Sequence, residues 1–172
     1  NKDNFYKISD KRIRQLAQDI KKDKNFIGIH PSYNSYDNSQ QFQKEKKKLE
    51  DTLSLVIKYG RQHYLNFVIP DTWQNWENEN MVFDSTLGYA DRPGFRCGIC
   101  YEFNVFNILT REKLNLKEKP LIVMECSLFE DRYLNLSYDD SYNKVISLMN
   151  TVKKYNGEFV LLWHNDRLAN NE

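Results

Sequence analysis

PLIVMECSLF, residues 120–129, decides the fold class. Pro120 bounds it, and Leu121, Ile122, Val123 and Met124 follow without a polar residue. Strict alternation would mark a strand with one wet face, whereas an unbroken apolar run marks a strand covered on both faces. The segment therefore predicts a buried strand in a sheet with helical cover. Glu125 falls inside the same predicted strand, where a carboxylate is costly to bury unless it is paired. Arg61, Arg92 and Arg96 are the available partners, and a purely structural ion pair is one outcome.

The pattern repeats on both sides. Downstream, LSYDDSYNKVISLMNTVKKYNG (136–157) predicts a helix capped by Ser137, faced by Val145, Leu148, Met149 and Val152, and ended by Gly157. EFVLLWHND (158–166) then predicts a final buried strand closing on His164. Upstream, ISDKRIRQLAQDIKKDKN (8–25) has apolar residues three and four apart, the spacing of an amphipathic helix, with Ser9 or Asp10 as its cap. NFIGIH (25–30) predicts a short strand ending at His30, and PSYNSYDNSQQ (31–41) a polar loop.

FQKEKKKLEDTLSLVIKYG (42–60) predicts a helix with Phe42, Leu49, Leu53, Val56 and Ile57 on its face and Gly60 as its stop. RQHYLNFVI (61–69) and MVFDST (81–86) predict strands, separated by a helix that starts at Pro70-Asp71. EFNVFNI (102–108) is extended, and REKLNLKEK (111–119) reads as a polar connection. Strands that alternate with helices define an α/β chain with a mostly parallel sheet. A closed or partly closed barrel and an open sheet both satisfy that pattern. Residues 1–172 are expected to form a single domain.

Charge narrows the partners. Lys and Arg total 25 against 24 Asp and Glu, a net charge of +1, so no basic face for nucleic acid is expected. No apolar run approaches the about 20 residues of a membrane-spanning helix. The cysteine count of 3 is odd. An odd count fits a reducing compartment, which favours the cytoplasm. The chain opens with NKDNFYK and no initiator Met, which is compatible with a processed end, including a removed signal peptide.

The three histidines, His30, His63 and His164, each fall at or near the C-terminal end of a predicted strand or just inside one, and Asp84 ends another strand. In α/β folds the C-terminal edge of the sheet is where ligands bind. A lone strand histidine is usually structural; three with the same placement favour a shared site. Cys97-Gly98-Ile99-Cys100 forms a CxxC, but extended sequence follows it. A redox dithiol needs a helix N-terminus to lower its pKa, and a zinc site needs further ligands, of which Cys126 supplies at most one. Packing cysteines are the simpler reading.

IGIHPSY (27–33), YGRQHYLNF (59–67), DSTLGYADRPGFRCG (84–98) and VLLWHN (160–165) occur in this order. Together they resemble the polysaccharide deacetylase family with the NodB homology fold, and more closely its bacterial deacetylase-like branch. The resemblance implies a (β/α)7-type, TIM-barrel-like fold, here partial or irregular. It also implies carbohydrate metabolism as the setting: a hydrolase that removes N- or O-acetyl groups from a sugar with the help of a divalent metal, zinc.

Carried over residue by residue, the resemblance makes His30 a metal ligand, Arg61 the orienter of a catalytic carboxylate, and His164 the general acid. The fourth motif surrounds Asp84. His30 matches one of two family histidines; the other would stand at Phe26 or Asn34, so His63 is assigned as the second ligand of a rearranged site. Two residues after Arg61 on a predicted strand, it would share that residue's face. Asp91, Arg92, Arg96 and Trp163 are expected to bind the sugar, and Tyr33, Trp73, Trp76 and Tyr89 are further stacking candidates.

The family's first motif, two adjacent acids after a strand, has no counterpart, since Asp139-Asp140 lies at a predicted helix start. The chain is therefore expected to be the C-terminal two-thirds of a deacetylase-like catalytic domain. An opened barrel would expose strand edges, which admit a homodimer. Two other readings compete with the hydrolase: a carbohydrate-binding member that has lost its metal centre, and a thiol oxidoreductase built on the CxxC.

Overall fold

Short parallel pairings organise the chain. The computed structural model describes residues 6–168. Its helices are α1 (Lys11–Lys22), α2 (Ser39–Leu53), α3 (Asp71–Asn78), α4 (Glu125–Phe129) and α5 (Tyr138–Lys154). Its strands are β1 (Tyr59–Gly60), β2 (Phe83–Asp84), β3 (Phe103–Asn107), β4 (Glu112–Glu118), β5 (Val123–Met124) and β6 (Leu161–Leu162). The chain divides into two units, Asn1–Asp84 with Asn104–Lys117, and Ser85–Phe103 with Glu118–Glu172.

The first unit carries the sheet ordered β1-β2-β4-β3. β1 and β2 run parallel, with Gly60 opposite Asp84. Ile29 joins the edge as a parallel bridge to Gly60: its N–H donates to the Tyr59 carbonyl at 2.8 Å, and its carbonyl accepts from Arg61 N at 3.0 Å. This bridge replaces the strand expected over 25–30. Gly60 is no helix stop; it is the crowded middle of this edge. A Cβ there would lie 2.3 Å from the Ile29 carbonyl oxygen and 2.8 Å from the Trp76 ring. Trp76 is buried in turn and stacks on Phe42 at 5.1 Å.

α2 ends earlier than its apolar spacing predicts. Asn38 caps its start, and Ser54 terminates it in the left-handed region at φ 52°. The Glu50 carboxylate then reaches beyond the end to accept from Ile57 N at 2.9 Å. Val56, expected on the helical face, is 73% exposed, whereas Ile57 is buried outside the helix. The strand expected over 61–69 is also absent. His63–Leu65 form a single 3-10 turn, with Tyr64 at φ 57°. Period-two reasoning about His63 and Arg61 therefore does not apply.

Residues 111–119, expected as a connection, contain β4. Leu114, Leu116 and Glu118 are buried in alternation with Asn115 and the half-exposed Lys117. β3 and β4 are adjacent and joined through residues 108–111, a link short enough only for an antiparallel pair. Asn107 Oδ1 ties the turn by accepting from Leu109 N and Thr110 N.

In the second unit β5 and β6 are parallel, Val123 opposite Leu161 and Met124 opposite Leu162. The apolar run at 121–124 is buried, as the sequence predicts, but the backbone turns helical at Glu125. α5 follows its prediction closely: Ser137 Oγ accepts from Asp140 N at 3.1 Å, and Val152 is buried. Met149 departs from it and stays exposed. Val152, Ile122, Val123, Leu128 and Cys100 form the core of this unit, with Val145 and Leu148 packed on it. The result is a mixed α/β chain with parallel strand pairs.

Candidate functional site

In the first unit, His30, Arg61 and Asp84 sit at one edge because Ile29, Gly60 and Asp84 are in register. The chain runs off the C-terminal ends of these segments, where the α/β arrangement concentrates function. Asp84 is fully buried. His30 Nδ1 lies 2.8 Å from the Arg61 carbonyl oxygen. A carbonyl only accepts, so Nδ1 carries a proton and Nε2 turns to the second histidine. His30 Nε2 and His63 Nδ1 are 2.9 Å apart, with the rings nearly perpendicular at 87°.

The pair could supply two imidazole ligands to a divalent metal. Metal-bound histidines commonly give their other ring N–H to a carbonyl, which fixes the ligating nitrogen, as the Arg61 carbonyl does for His30. Two imidazole nitrogens on a tetrahedral zinc stand about 3.3 Å apart. A small opening of the hydrogen-bonded pair would therefore admit one. The 3-10 turn at 63–65, unforeseen in the sequence, is what brings His63 round.

In the second unit, the β5–β6 register sets Glu125 and Cys126 beside Trp163 and His164. His164 Nδ1 donates to Glu125 Oε1 at 2.5 Å, and the Cys126 thiol donates to the same oxygen at 3.1 Å. Glu125 is 0% exposed, while the His164 side chain is 41% exposed. The other carboxylate oxygen, Oε2, is buried with no hydrogen-bond partner among the described residues. The partner of Glu125 is thus His164 rather than Arg92 or Arg96. Arg92 pairs with Asp91 at 3.0 Å, and Arg96 donates to the Gly88 carbonyl at 2.9 Å.

Cys126 has Arg167 Nη2 at 3.9 Å and His164 Nδ1 at 3.7 Å. Burial first, then the Glu125 and Glu130 carboxylates, push its thiol up to about 12. Glu130 also pairs with Arg167 at 3.0 Å. The sequence offered one signal for this cluster: a carboxylate at the end of an apolar strand, with a histidine at the end of the next one.

The remaining expected residues divide by exposure. Asp91 and Arg92 are exposed, and the Arg92 guanidinium lies over the Tyr89 ring at 4.2 Å. Trp163 is 44% exposed and meets Phe129 edge-on. Tyr33 packs edge-on against Tyr64. Trp73 and Trp76 are core residues rather than stacking surfaces. Cys97 and Cys100 are both free thiols in a segment of turns and bends, with no helix after them. Burial, with help from Glu118 and against Arg96, pushes Cys97 up to about 11. That is opposite to what a thiol oxidoreductase needs.

Mixed α/β architecture with histidine and carboxylate side chains at parallel strand ends is the class that these observations define. No protein-family model matches the chain, and no curated protein matches it. Among solved structures it is similar to the crystal structure of a "putative polysaccharide deacetylase" from Mycobacterium smegmatis. The TM-score is 0.63 at 17% sequence identity, over 89% of this chain and 54% of the other. The likeness is one of fold, and the chain spans about half the length of the structure it matches. Among the described residues no helix is long and apolar enough to cross a membrane.

Proposed function

We propose that the chain is a carbohydrate deacetylase-like hydrolase that acts on N- or O-acetylated sugars, built on a partial barrel of the polysaccharide deacetylase type. The observation that carries the proposal is the His30–His63 pair, 2.9 Å apart and oriented by the Arg61 carbonyl. His30 Nε2 and His63 Nδ1 would hold a zinc ion. Bound there, the metal would supply Lewis acidity for a carbonyl and lower the pKa of a water.

The chain's own groups have separate tasks. His164 donates its Nδ1–H to Glu125 as a hydrogen bond, so the proton it exchanges belongs at Nε2, where it can serve a departing amine or alkoxide. Glu125 is a positioning residue: its buried carboxylate fixes the orientation and tautomer of the ring. Arg61 and Asp84 remain the candidates for orienting and supplying a carboxylate at the first edge. Asp91, Arg92, Arg96 and Trp163 remain the candidates for contacting sugar.

Zinc content measured after loading, beside a His30→Ala variant, tests the metal assignment. Loss of about one equivalent of bound zinc in the variant is expected. Acetate release from acetylated oligosaccharides should then require zinc and fall about a hundred- to ten-thousandfold in His164→Asn. Equal zinc content in the two proteins would overturn the metal assignment at His30 and His63. Zinc without acetate release would favour a second reading, a sugar-binding member of the same fold. What favours that reading is that neither Phe26 nor Asn34, the two places where the resemblance would put the other family histidine, carries one.

A further inference from the structure

We propose that Glu125, Cys126 and His164 form a second divalent-metal site, one that selects a thiolate-seeking ion such as zinc. The hydrolase reading uses Glu125 and His164 but leaves Cys126 without a task. The three donor atoms, Oε1, Sγ and Nδ1, nevertheless converge: Sγ–Oε1 is 3.1 Å, Sγ–Nδ1 is 3.7 Å and Nδ1–Oε1 is 2.5 Å. They are the only group of three or more such residues identified among the described residues as able to hold an ion.

The separations can be compared with a tetrahedral zinc. Bond lengths of about 2.3 Å to sulfur and about 2.0–2.1 Å to nitrogen and oxygen place S and N about 3.5 Å apart, and N and O about 3.3 Å apart. The sulfur–nitrogen separation already agrees. The nitrogen–oxygen separation is short because a proton, not a metal, joins the two atoms. Losing that proton removes the attraction that draws them together, and the half-exposed His164 ring has room to swing away.

A second observation points to a ligand. Glu125 is 0% exposed, yet its Oε2 is buried without a hydrogen-bond partner among the described residues. A buried carboxylate left half-satisfied is expensive, and a cation on that carboxylate compensates for it. The backbone is already in place, since the parallel β5–β6 register fixes both halves of the donor set. Arg167, which lies beside Cys126 Sγ, is charge-matched by Glu130 at 3.0 Å.

The donor set specifies the ion. One thiolate and one imidazole disfavour magnesium and calcium, which take oxygen ligands, and favour zinc. Three protein ligands leave a fourth position open. Occupancy has a consequence for the hydrolase reading: the metal takes the His164 Nδ1 lone pair, and Glu125 no longer holds a proton there. A filled site and an acid at His164 are alternative states of one imidazole.

Cobalt(II) titration of the reduced, chelator-treated full chain tests the site without any substrate. Cobalt bound to a thiolate gives a near-ultraviolet charge-transfer band, whereas cobalt bound only at His30 and His63 gives none. One equivalent of band intensity is expected. It should vanish in Cys126→Ser. In Glu125→Gln and His164→Asn, affinity should weaken beyond the about 10–100-fold that outer-shell changes cost. Cys97→Ser and His30→Ala should leave the band intact. Variants are compared only where circular dichroism shows the wild-type fold, and two ligand variants besides Cys126→Ser guard against the loss of one. No band in the wild type, or a band that survives Cys126→Ser, overturns the site. Neither outcome touches the acetyl-hydrolase reading, which is measured by acetate release.

Discussion

Cys97 shows burial deciding what a thiol can do. Its sequence context, a CxxC, invites a redox role, and its environment withholds one. With its pKa pushed up to about 11 from an ordinary 9.0, the thiolate is scarce at neutral pH. Iodoacetamide at pH 8 should therefore alkylate Cys97 about a hundredfold more slowly than an unperturbed thiol, because only the thiolate reacts. The rate should climb about tenfold per pH unit until the thiol ionises. Peptide mass spectrometry of Cys97 reads this directly, and fast alkylation at neutral pH would restore the oxidoreductase reading. Residue by residue, the sequence marked the chemistry-bearing groups but misjudged their neighbours. His30 and His63 stood out as rare residues near strand ends. Glu125 stood out as a charge in an apolar run. That its partner is His164 depends on a parallel register between residues about forty positions apart, which no local pattern records.

At the scale of elements, hydrophobic period read the long helices well and their ends poorly. α5 is legible because Ser137, its acidic first turn and its basic last turn agree with the apolar face. α2 is not, because its apolar positions continue past the point where the backbone turns. Ser54 stops it at φ 52°, where a side chain carries a steric penalty that glycine avoids. Ser54→Gly should therefore stabilise the chain by about 0.5–1 kcal/mol, after allowing for the extra freedom glycine has when unfolded. Chemical denaturation measures it through a raised midpoint at unchanged slope. A lowered midpoint would mean that the serine side chain contributes more than its backbone strain costs. β4 is hard to read in the sequence for a different reason. Its composition is polar, but Leu114 and Leu116 alternate with polar neighbours, and that alternation is the signal of a strand with one buried face.

For the whole molecule, the apolar run at 121–124 identified the α/β class, and the fold likeness over 89% of the chain agrees with it. The short strands limited what could be read further: two-residue strands carry no period, so β1, β2, β5 and β6 appear in sequence only as the apolar surroundings of their neighbours. Stability against acid is a further property of the whole chain that one group can report. Glu50 is held below its ordinary 4.5. Burial alone would raise it, but hydrogen bonds from Lys46 and from Ile57 N, with the charges of Lys46 and Lys58, prevail. A carboxylate depressed in the folded state binds its proton more readily once the chain unfolds. Its stabilisation is therefore complete above about pH 4.5 and is lost as pH falls through the lower folded value. Thermal melts from pH 6 downward should show wild type losing stability more steeply than Glu50→Gln, by at most about 1.4 kcal/mol per pH unit. The amide keeps an acceptor for Ile57 N, so the difference isolates titration from the loss of a hydrogen bond. Parallel curves for the two proteins would mean that Lys46 and Lys58 do not favour the ionised form of Glu50 in solution.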